Sequence, residues 1–451
     1  MIGLATFTVL VLPALAAAQP DGATTQPAAK RPPLTTQRAV EVATAFSEHL
    51  VAGQYDAATK PFTQRMRSGL DARKLRQTWL GLAKQLGPFD RFEAPRHERL
   101  NESIRVTFPA HWKNATLDMQ VVISRAGRIE GLWFRPSATT QPYQPPAYVH
   151  AHRYAERSVD IGREPWRLKG RLSVPHDRSL KPAVVLVHGS GPHDMDETIG
   201  PNRPFRDLAG GLASAGIVVL RYDKRTHAHG AKMGPEHINV RSEVIEDALA
   251  AIECVRTQPG VDPSRVYIVG HSLGGCLAPV IARDAPELAG FVSLSGTLRS
   301  MREVIVDQLE YIAGLDATPA EQRAELRSEI ERIRSQAQSR PATILGAPVE
   351  YWDDLDAHLG ETGAAAAREF AGRILVVGGG RDYQITRKDF DRWRAALADR
   401  PNTTFRWFSK LNHLYAAGEG MATPAEYGES RPVDESAVSA IAEWIMAGHV
   451  D

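Results

Sequence analysis

The chain has 451 residues, 43% of them hydrophobic and 24% charged, with a formal net charge of +1. That length exceeds a single compact core and implies about two or three domains. The near-neutral balance gives no electrostatic reason to expect a nucleic-acid or anionic-membrane partner.

Residues 1–18 read as a signal peptide, and the expected location is therefore exported, periplasmic or secreted. Ile2 to Ala18 carry no charge, Leu10-Val-Leu12 is the apolar centre, and Ala16-Ala-Ala18 fits a small-x-small cleavage site before Gln19. The start lacks Lys and Arg, and an uncleaved anchor is the alternative, although the apolar run is short for spanning. No Cys follows the cleavage site, which argues against a lipoprotein, and no later stretch is long and apolar enough to cross a bilayer. Residues 19–36, rich in Pro, Thr, Ala and Gln, read as a flexible leader.

A small α+β domain is expected over residues 37–135. Val42, Phe46 and Leu50 recur every fourth residue, a helical stripe that Gly53 can end. Leu75, Trp79, Leu82 and Leu86 form a second stripe, closed by Gly87-Pro88. The period then changes to two. Ile104, Val106 and Phe108 alternate, as do Leu117, Met119, Val121 and Ile123, and a turn at Ala126-Gly127 leads to a strand from Arg128 to Phe134. In element order this region resembles the cone-shaped, nuclear-transport-factor-like domain of unknown function that precedes some bacterial secreted hydrolases. Residues 136–150, with Pro136, Pro142, Pro145 and Pro146, read as a stiff linker.

Residues 151–451 read as an α/β domain, a doubly wound and mostly parallel sheet. Arg157–Ile161 and Trp166–Val174 form a hairpin leading into Val184–Val187. Gly216–Leu220, Val266–Val269, Phe291–Leu294 and Ile374–Val377 are short β-branched runs without alternation, as in strands covered on both faces. Helical segments separate them, among them Phe205–Ala215, Val244–Arg256 and Phe390–Ala398. About residues 297–370 form one overlong, helical connection. Ile305, Leu309 and Ile312 make one stripe, Leu326, Ile330 and Ile333 another, and Thr318-Pro319 with Glu321 reads as a capping box. Such an insertion at a sheet's carboxyl edge suits a cap over a cleft, the alternative being a decoration far from any site. Only Cys254 and Cys276 are present. Both fall in predicted helices among apolar neighbours, which favours buried free thiols over a pair.

The chemistry centres on Gly270-His-Ser-Leu-Gly-Gly275, a G-x-S-x-G run between a strand and a helix. That context is a nucleophile elbow, with Ser272 held out at the strand end. The alternative is an ordinary glycine-rich β–α turn. A serine hydroxyl needs a base, and the base needs a carboxylate to fix its tautomer. In such sheets the triad runs Ser, acid, His along the chain. Asp382 follows strand Ile374–Val377 and His413 follows strand Thr404–Phe408, so both stand at strand tips in the required order. Asp353, Asp354, Asp389 and Asp391 read instead as solvated surface acids. An oxyanion hole requires two preorganised N–H donors. The expected ones are Leu273, directly after the nucleophile, and Ser190 on the loop His188-Gly-Ser-Gly-Pro192, with Gly191 as its close rival.

Together these residues resemble the α/β-hydrolase superfamily over about residues 151–451. The run His188 to Asn202, followed by Arg221-Tyr-Asp-Lys-Arg-Thr226, is similar to a narrower group, the bacterial esterases and dienelactone-hydrolase-like or acyl-peptidase-like enzymes. The resemblance implies hydrolysis of carboxylic esters of small or short-acyl substrates through an acyl-enzyme, with no cofactor and a small-molecule ester as the only implied partner. The alternatives are an amidase or peptidase using the same triad, and a binding protein whose hydrolase domain is a relic. The loop lacks the His-Gly-Gly-Gly pattern of many lipases, which argues against bulky lipid substrates. His188 and His271 read as structural neighbours of the site rather than bases. Arg221, Asp223, Lys224 and Arg225 read as an ion-pair network in the cleft wall in preference to a substrate contact. His227 and His229 lack a nearby third ligand, so no metal site is expected. Gly378-Gly-Gly380 lacks the spacing of a dinucleotide loop. Nothing in the sequence fixes an oligomeric state.

Overall fold

A computed structural model describes residues 34–448, except 101, 114, 137–142, 178, 231, 234–237, 336–342 and 346. The expected signal peptide, most of the expected leader, part of the expected linker and His449 lie outside the described residues. Contacts divide the chain into two units at residue 140.

In the first unit, helix Thr36–Val51 begins where the Thr35 side chain accepts the Arg38 N–H, and it buries Phe46 and Leu50. Gly53, with φ +70°, turns the chain away after it. Helix Ala72–Leu86 starts on an Asp71 cap and buries Leu75, Trp79, Leu82 and Leu86. Gly87, at φ +82°, ends it. Two short helices, Tyr55–Thr59 and Gln64–Gly69, lie between them. The sheet is five-stranded and antiparallel. Its main path runs Phe89–Phe92, Ser103–Trp112, Ala115–Ile123, Ile129–Pro136, and Arg96–Leu100 pairs beside Ser103–Trp112. The register sets Val106 opposite Val121 and Phe108 opposite Met119, so the alternating apolar residues share the face that packs on the helices.

The second unit holds an eight-stranded sheet. Across it the strands run Thr403–Phe408, Arg373–Gly379, Gly290–Leu294, Val261–His271, Lys181–Val187, Val218–Tyr222, Leu168–Pro175, Tyr154–Ile161. The first six are parallel, and the last two form an antiparallel hairpin at one edge. Every residue of Lys181–Val187 is buried, as a strand covered on both faces requires. Helices Pro204–Ser214 and Glu435–Met446 cover one face with Phe205, Leu212, Ile441 and Ile445. Glu246–Arg256 and Leu273–Asp284 cover the other. The chain leaves Lys181–Val187 toward Val218–Tyr222 on one side, then returns to Val261–His271 on the other. That reversal opens a crevice at the carboxyl ends of the two central strands, the place where such sheets bind ligands. The doubly wound α/β expectation is met.

The helical cap consists of Met301–Gly314, Ala320–Arg334, Val349–His358 and Gly360–Glu369. Ile305, Leu309, Ile312, Ile330 and Ile333 are buried, as their spacing predicted. Three expectations need correction. The capping box at Thr318 does not form, because that hydroxyl donates to the Ile312 carbonyl at 2.5 Å and the helix starts from Pro319 without a side-chain cap. Asp389 is not a surface acid. It is 1% exposed, caps helix Arg387–Ala396 in a box with Thr386, and accepts the Thr297 hydroxyl at 2.7 Å. Cys276 is a buried free thiol, but Cys254, also free, is only half-buried.

Candidate active site

Strand Val261–His271 enters helix Leu273–Asp284 through one residue, Ser272, at φ 51° and ψ −114°. A non-glycine residue at positive φ is strained by about 1–3 kcal/mol and persists only where its surroundings enforce it. Here they do. A Cβ on Gly270 would stand 2.7 Å from the Gly275 nitrogen, and one on Gly274 would stand 2.8 Å from the His188 oxygen. The Ser272 N–H donates to the Leu294 carbonyl on the adjacent strand at 2.9 Å. His271 and Leu273 on either side are buried, while Ser272 is partly exposed. The elbow therefore presents one hydroxyl at the crevice. Leu273 is the first helical residue, so its N–H lies outside the helix's own ladder and remains available at the same spot.

Asp382 and His413 come together from the tips of neighbouring strands. Asp382 is 1% exposed, and its Oδ2 lies 2.8 Å from His413 Nδ1. Its Oδ1 accepts the N–H groups of Gln384 and Ile385 at 2.8 and 3.0 Å, which fixes the carboxylate plane. A carboxylate only accepts, so Nδ1 carries a proton, and in the neutral ring that tautomer leaves the Nε2 lone pair free. The loop bearing His413 is shaped by Asn412, whose Oδ1 accepts from Leu414 and Ala416 at 3.0 Å each. The His413 carbonyl accepts from His271 Nε2 at 2.9 Å, and the two rings lie 4.9 Å apart between centroids. Thus the loop carrying His413 is tied to the residue just before Ser272.

Glu197, which sequence reasoning did not single out, holds this arrangement from behind. It is fully buried at φ 50°, and its Oε1 accepts the Gly189 N–H at 2.6 Å. Its Oε2 lies 2.9 Å from His271 Nδ1, an ion-pair distance. Burial, the largest single influence, would raise the Glu197 carboxyl, but His271, His193 and His188 together oppose it and hold the group at about 2. Burial likewise works to lower His271, and the Glu197 carboxylate, with the His413 carbonyl and Asp382, together raise the imidazole. His188 differs. Burial pulls it down to about 3, so it is a neutral brace whose Nε2 donates to the Asp194 carbonyl at 3.0 Å. The only sequence signal for Glu197 was its place among Asp194 and Asp196 on the loop after Lys181–Val187, where all three acids look alike.

The loop predicted to supply the second oxyanion donor lies against Ser272. A Cβ on Gly189 would stand 3.2 Å from the Ser272 Cβ. With the Gly189 amide taken by Glu197, the next N–H along the loop is that of Ser190, a partly exposed residue. No acceptor among the described residues takes it. Arg221, Lys224 and Arg225 make the ion pairs expected of them, whereas Asp223 instead accepts the Met195 N–H at 2.9 Å. Arg221 meets Glu156 and Asp196 at 2.7 and 2.8 Å, and Arg225 meets Asp247 and Glu246. His229 Nε2 contacts the Arg167 carbonyl at 2.9 Å. Among the described residues, no three His, Cys, Asp or Glu side chains converge as a metal site. No helix among them is long and apolar enough to cross a membrane.

Comparison with known proteins agrees with the sheet and with the division of the chain. Residues 184–434 match the profile of the family described as Alpha/beta hydrolase family. Residues 43–132 match one described as Protein of unknown function (DUF3887). Esterase EstD of Thermotoga maritima is 35% identical over 403 residues, spanning 89% of this chain and 94% of that protein. Lysophospholipase-like protein 1 of Mus musculus is 31% identical over 147 residues, 28% of this chain and 58% of that protein. Among solved structures, a Pyrococcus furiosus esterase superposes with a TM-score of 0.45 at 16% identity, covering 69% of this chain and 97% of its own. Est1E from Butyrivibrio proteoclasticus superposes with a TM-score of 0.42 at 14% identity, covering 64% and 98%.

Proposed function

The chain belongs to the α/β-hydrolase family, and from that premise we propose that it is a serine esterase in which Ser272, His413 and Asp382 act as nucleophile, base and orienting acid. The observation that carries this reading is the 2.8 Å contact between Asp382 and His413 Nδ1, on loops tied to a strained serine at the sheet's switch point. Ser272 Oγ attacks the ester carbonyl while His413 Nε2 takes its proton. The tetrahedral oxyanion is held by the N–H groups of Leu273 and Ser190. His413 returns the proton to the leaving alcohol, and the acyl group stays on Ser272. Water, deprotonated by the same Nε2, attacks the acyl carbonyl and releases the acid.

Small or short-acyl esters are the proposed substrates. Tyr383 and Leu414, which directly follow Asp382 and His413, are buried with Ile312 of the cap, Ala422 and Tyr427. That packing supports limited room for a long acyl chain. A chain-length series of p-nitrophenyl esters tests it, and turnover that rises toward the longest chains counts against it. The catalytic reading is tested by Ser272→Ala. It should lose at least ~10³-fold in kcat with the fold intact, and it should resist a fluorophosphonate probe that labels the wild type. Retained turnover in that variant ends the assignment. Export is proposed on the uncharged, apolar run before Ala16-Ala-Ala18. Protein recovered from the native host should then begin at Gln19.

A further inference from the structure

Gly189 is gripped at both of its peptide groups by buried charges. Its N–H is taken by Glu197, as described above. Its carbonyl accepts from Lys224 Nζ at 2.8 Å. Lys224 is 2% exposed, and the same ammonium reaches Glu243 Oε1 at 2.6 Å. The other oxygen of Glu243 accepts the Tyr351 hydroxyl at 2.6 Å, and Tyr351 belongs to the cap helix Val349–His358. Glu243 itself sits on a π-helical turn, Arg241–Ile245, an irregularity that recurs at functional sites.

In a planar trans peptide the C=O and the N–H point in opposite directions. The Gly189 carbonyl is drawn toward the buried ammonium, so the N–H of the same peptide, which belongs to Ser190, faces the other way. Ser272 packs against Gly189, within 3.2 Å of where a side chain would start. A hydrogen bond from a cation also polarises the peptide and makes its N–H a stronger donor. We propose that Lys224, held by Glu243 and through it by Tyr351 of the cap, is a positioning residue that aims the Ser190 N–H at the oxyanion. The inference rests on the roles given to Ser272 and Ser190 above. It makes the state of the cap part of the oxyanion hole.

Two variants test it. Lys224→Met combined with Glu243→Gln removes the clamp without leaving an unpaired buried charge, and Tyr351→Phe removes a single hydroxyl. Each is assayed for p-nitrophenyl acetate turnover, for affinity toward an aryl trifluoromethyl ketone, and for affinity toward a short alcohol. The ketone adds Ser272 and places an oxyanion in the hole, whereas the alcohol places no charge there. The double variant should fold and lose ~10- to 100-fold in kcat/KM. Ketone affinity should fall by a similar factor while alcohol affinity is unchanged. Tyr351→Phe should move the same two readouts by less. A folded double variant with wild-type kcat/KM, or one that loses turnover but keeps ketone affinity, overturns the proposal. Where the double variant does not fold, Tyr351→Phe decides, and wild-type values for both readouts overturn it. Fluorophosphonate labelling of the wild type and not of Ser272→Ala keeps the two readings apart. With that control in place, a failed clamp test counts against Lys224 alone.

Discussion

Replacing Gly274 with Ala would insert one carbon between helix Leu273–Asp284 and the strand beside it. That carbon would stand 2.8 Å from the His188 oxygen and from the Val187 carbonyl carbon, and nearer still to the Val187 oxygen. All three are backbone atoms, so no side chain can swing aside. Ordinary contact begins at roughly 3.4 Å, so the helix start has to retreat by more than half an ångström. Overpacking of this kind costs ~1–3 kcal/mol. At ~2–4 °C per kcal/mol, Tm should fall by several degrees. The same retreat carries the Leu273 amide away from the forming oxyanion. Removing such a donor outright costs ~10²–10³ in kcat, so a partial displacement should cost ~10- to 100-fold. Calorimetry and p-nitrophenyl acetate kinetics measure the two effects separately. Gly81→Ala is the control, since a Cβ there meets nothing within 4 Å. It should keep wild-type kcat and gain a little stability from helix propensity. A folded Gly274→Ala enzyme with wild-type kcat would falsify the claim that the helix start carries a donor.

Two more expectations concern the groups behind Ser272, and a third concerns the substrate. In Asp382→Asn the amides of Gln384 and Ile385 still bind Oδ1, so the new NH₂ must face His413 Nδ1 and force the wrong tautomer. kcat should fall by ~10⁴ with little change in Tm, and near-normal turnover would remove Asp382 from the triad. Glu197→Gln probes the buried ion pair through pH. A carboxyl held at about 2 rather than 4.5 stabilises the fold above its unfolded value and loses that contribution as pH falls toward 2. The raised His271 contributes fully below 6.5 and loses its contribution as pH rises through its folded value. The pair is therefore strongest between about 4.5 and 6.5, where the substitution should cost ~3 kcal/mol. Urea unfolding near pH 3 and pH 6 checks this, and an equal loss at both refutes it. Finally, a p-nitrophenyl ester should be turned over much faster than its matched p-nitroanilide, while comparable rates would favour an amidase.

What was legible in the sequence was what the chain states locally. The elbow is a strand, a serine between glycines and a helix within one short run, and its glycines are needed because backbone atoms press on both sides. The cap helices showed their period, and Ile305, Leu309 and Ile312 are buried accordingly. The strands Phe89–Phe92 and Arg96–Leu100 were not legible. Arg96–Leu100 is exposed at every residue but its last, so no alternation marks it. The capping box at Thr318 misled because a hydroxyl can serve a carbonyl of the preceding helix as well as an amide of the next. Asp389 misled because its partners, Thr297 and Arg299, lie about ninety residues earlier. Glu197 and Glu243 stayed hidden for the same reason. Burial of a charge is decided by which distant side chain meets it, and neither Lys224 nor His271 marks its partner in the sequence.

The arrangement around Gly189 is expensive in free energy and poor as a device for stability alone. Taking Lys224, Glu243, Glu197 and His271 out of water costs several kcal/mol per ion, and apolar side chains of the same volume would fill the space at lower cost. An apolar side chain, however, cannot set the direction of an N–H. The loop it would have to order contains Gly189 and Gly191, the latter at φ 104°, and glycine admits many backbone directions at similar energy. Opposite charges on the two peptide groups of Gly189 reduce those directions to one. Catalysis by an oxyanion hole depends on donors that are already aimed when charge develops. The desolvated charges are therefore best understood as what makes a flexible glycine loop rigid at one peptide. Because one of them reaches Tyr351, the cap helix Val349–His358 and the aim of the donor are held by one chain of hydrogen bonds.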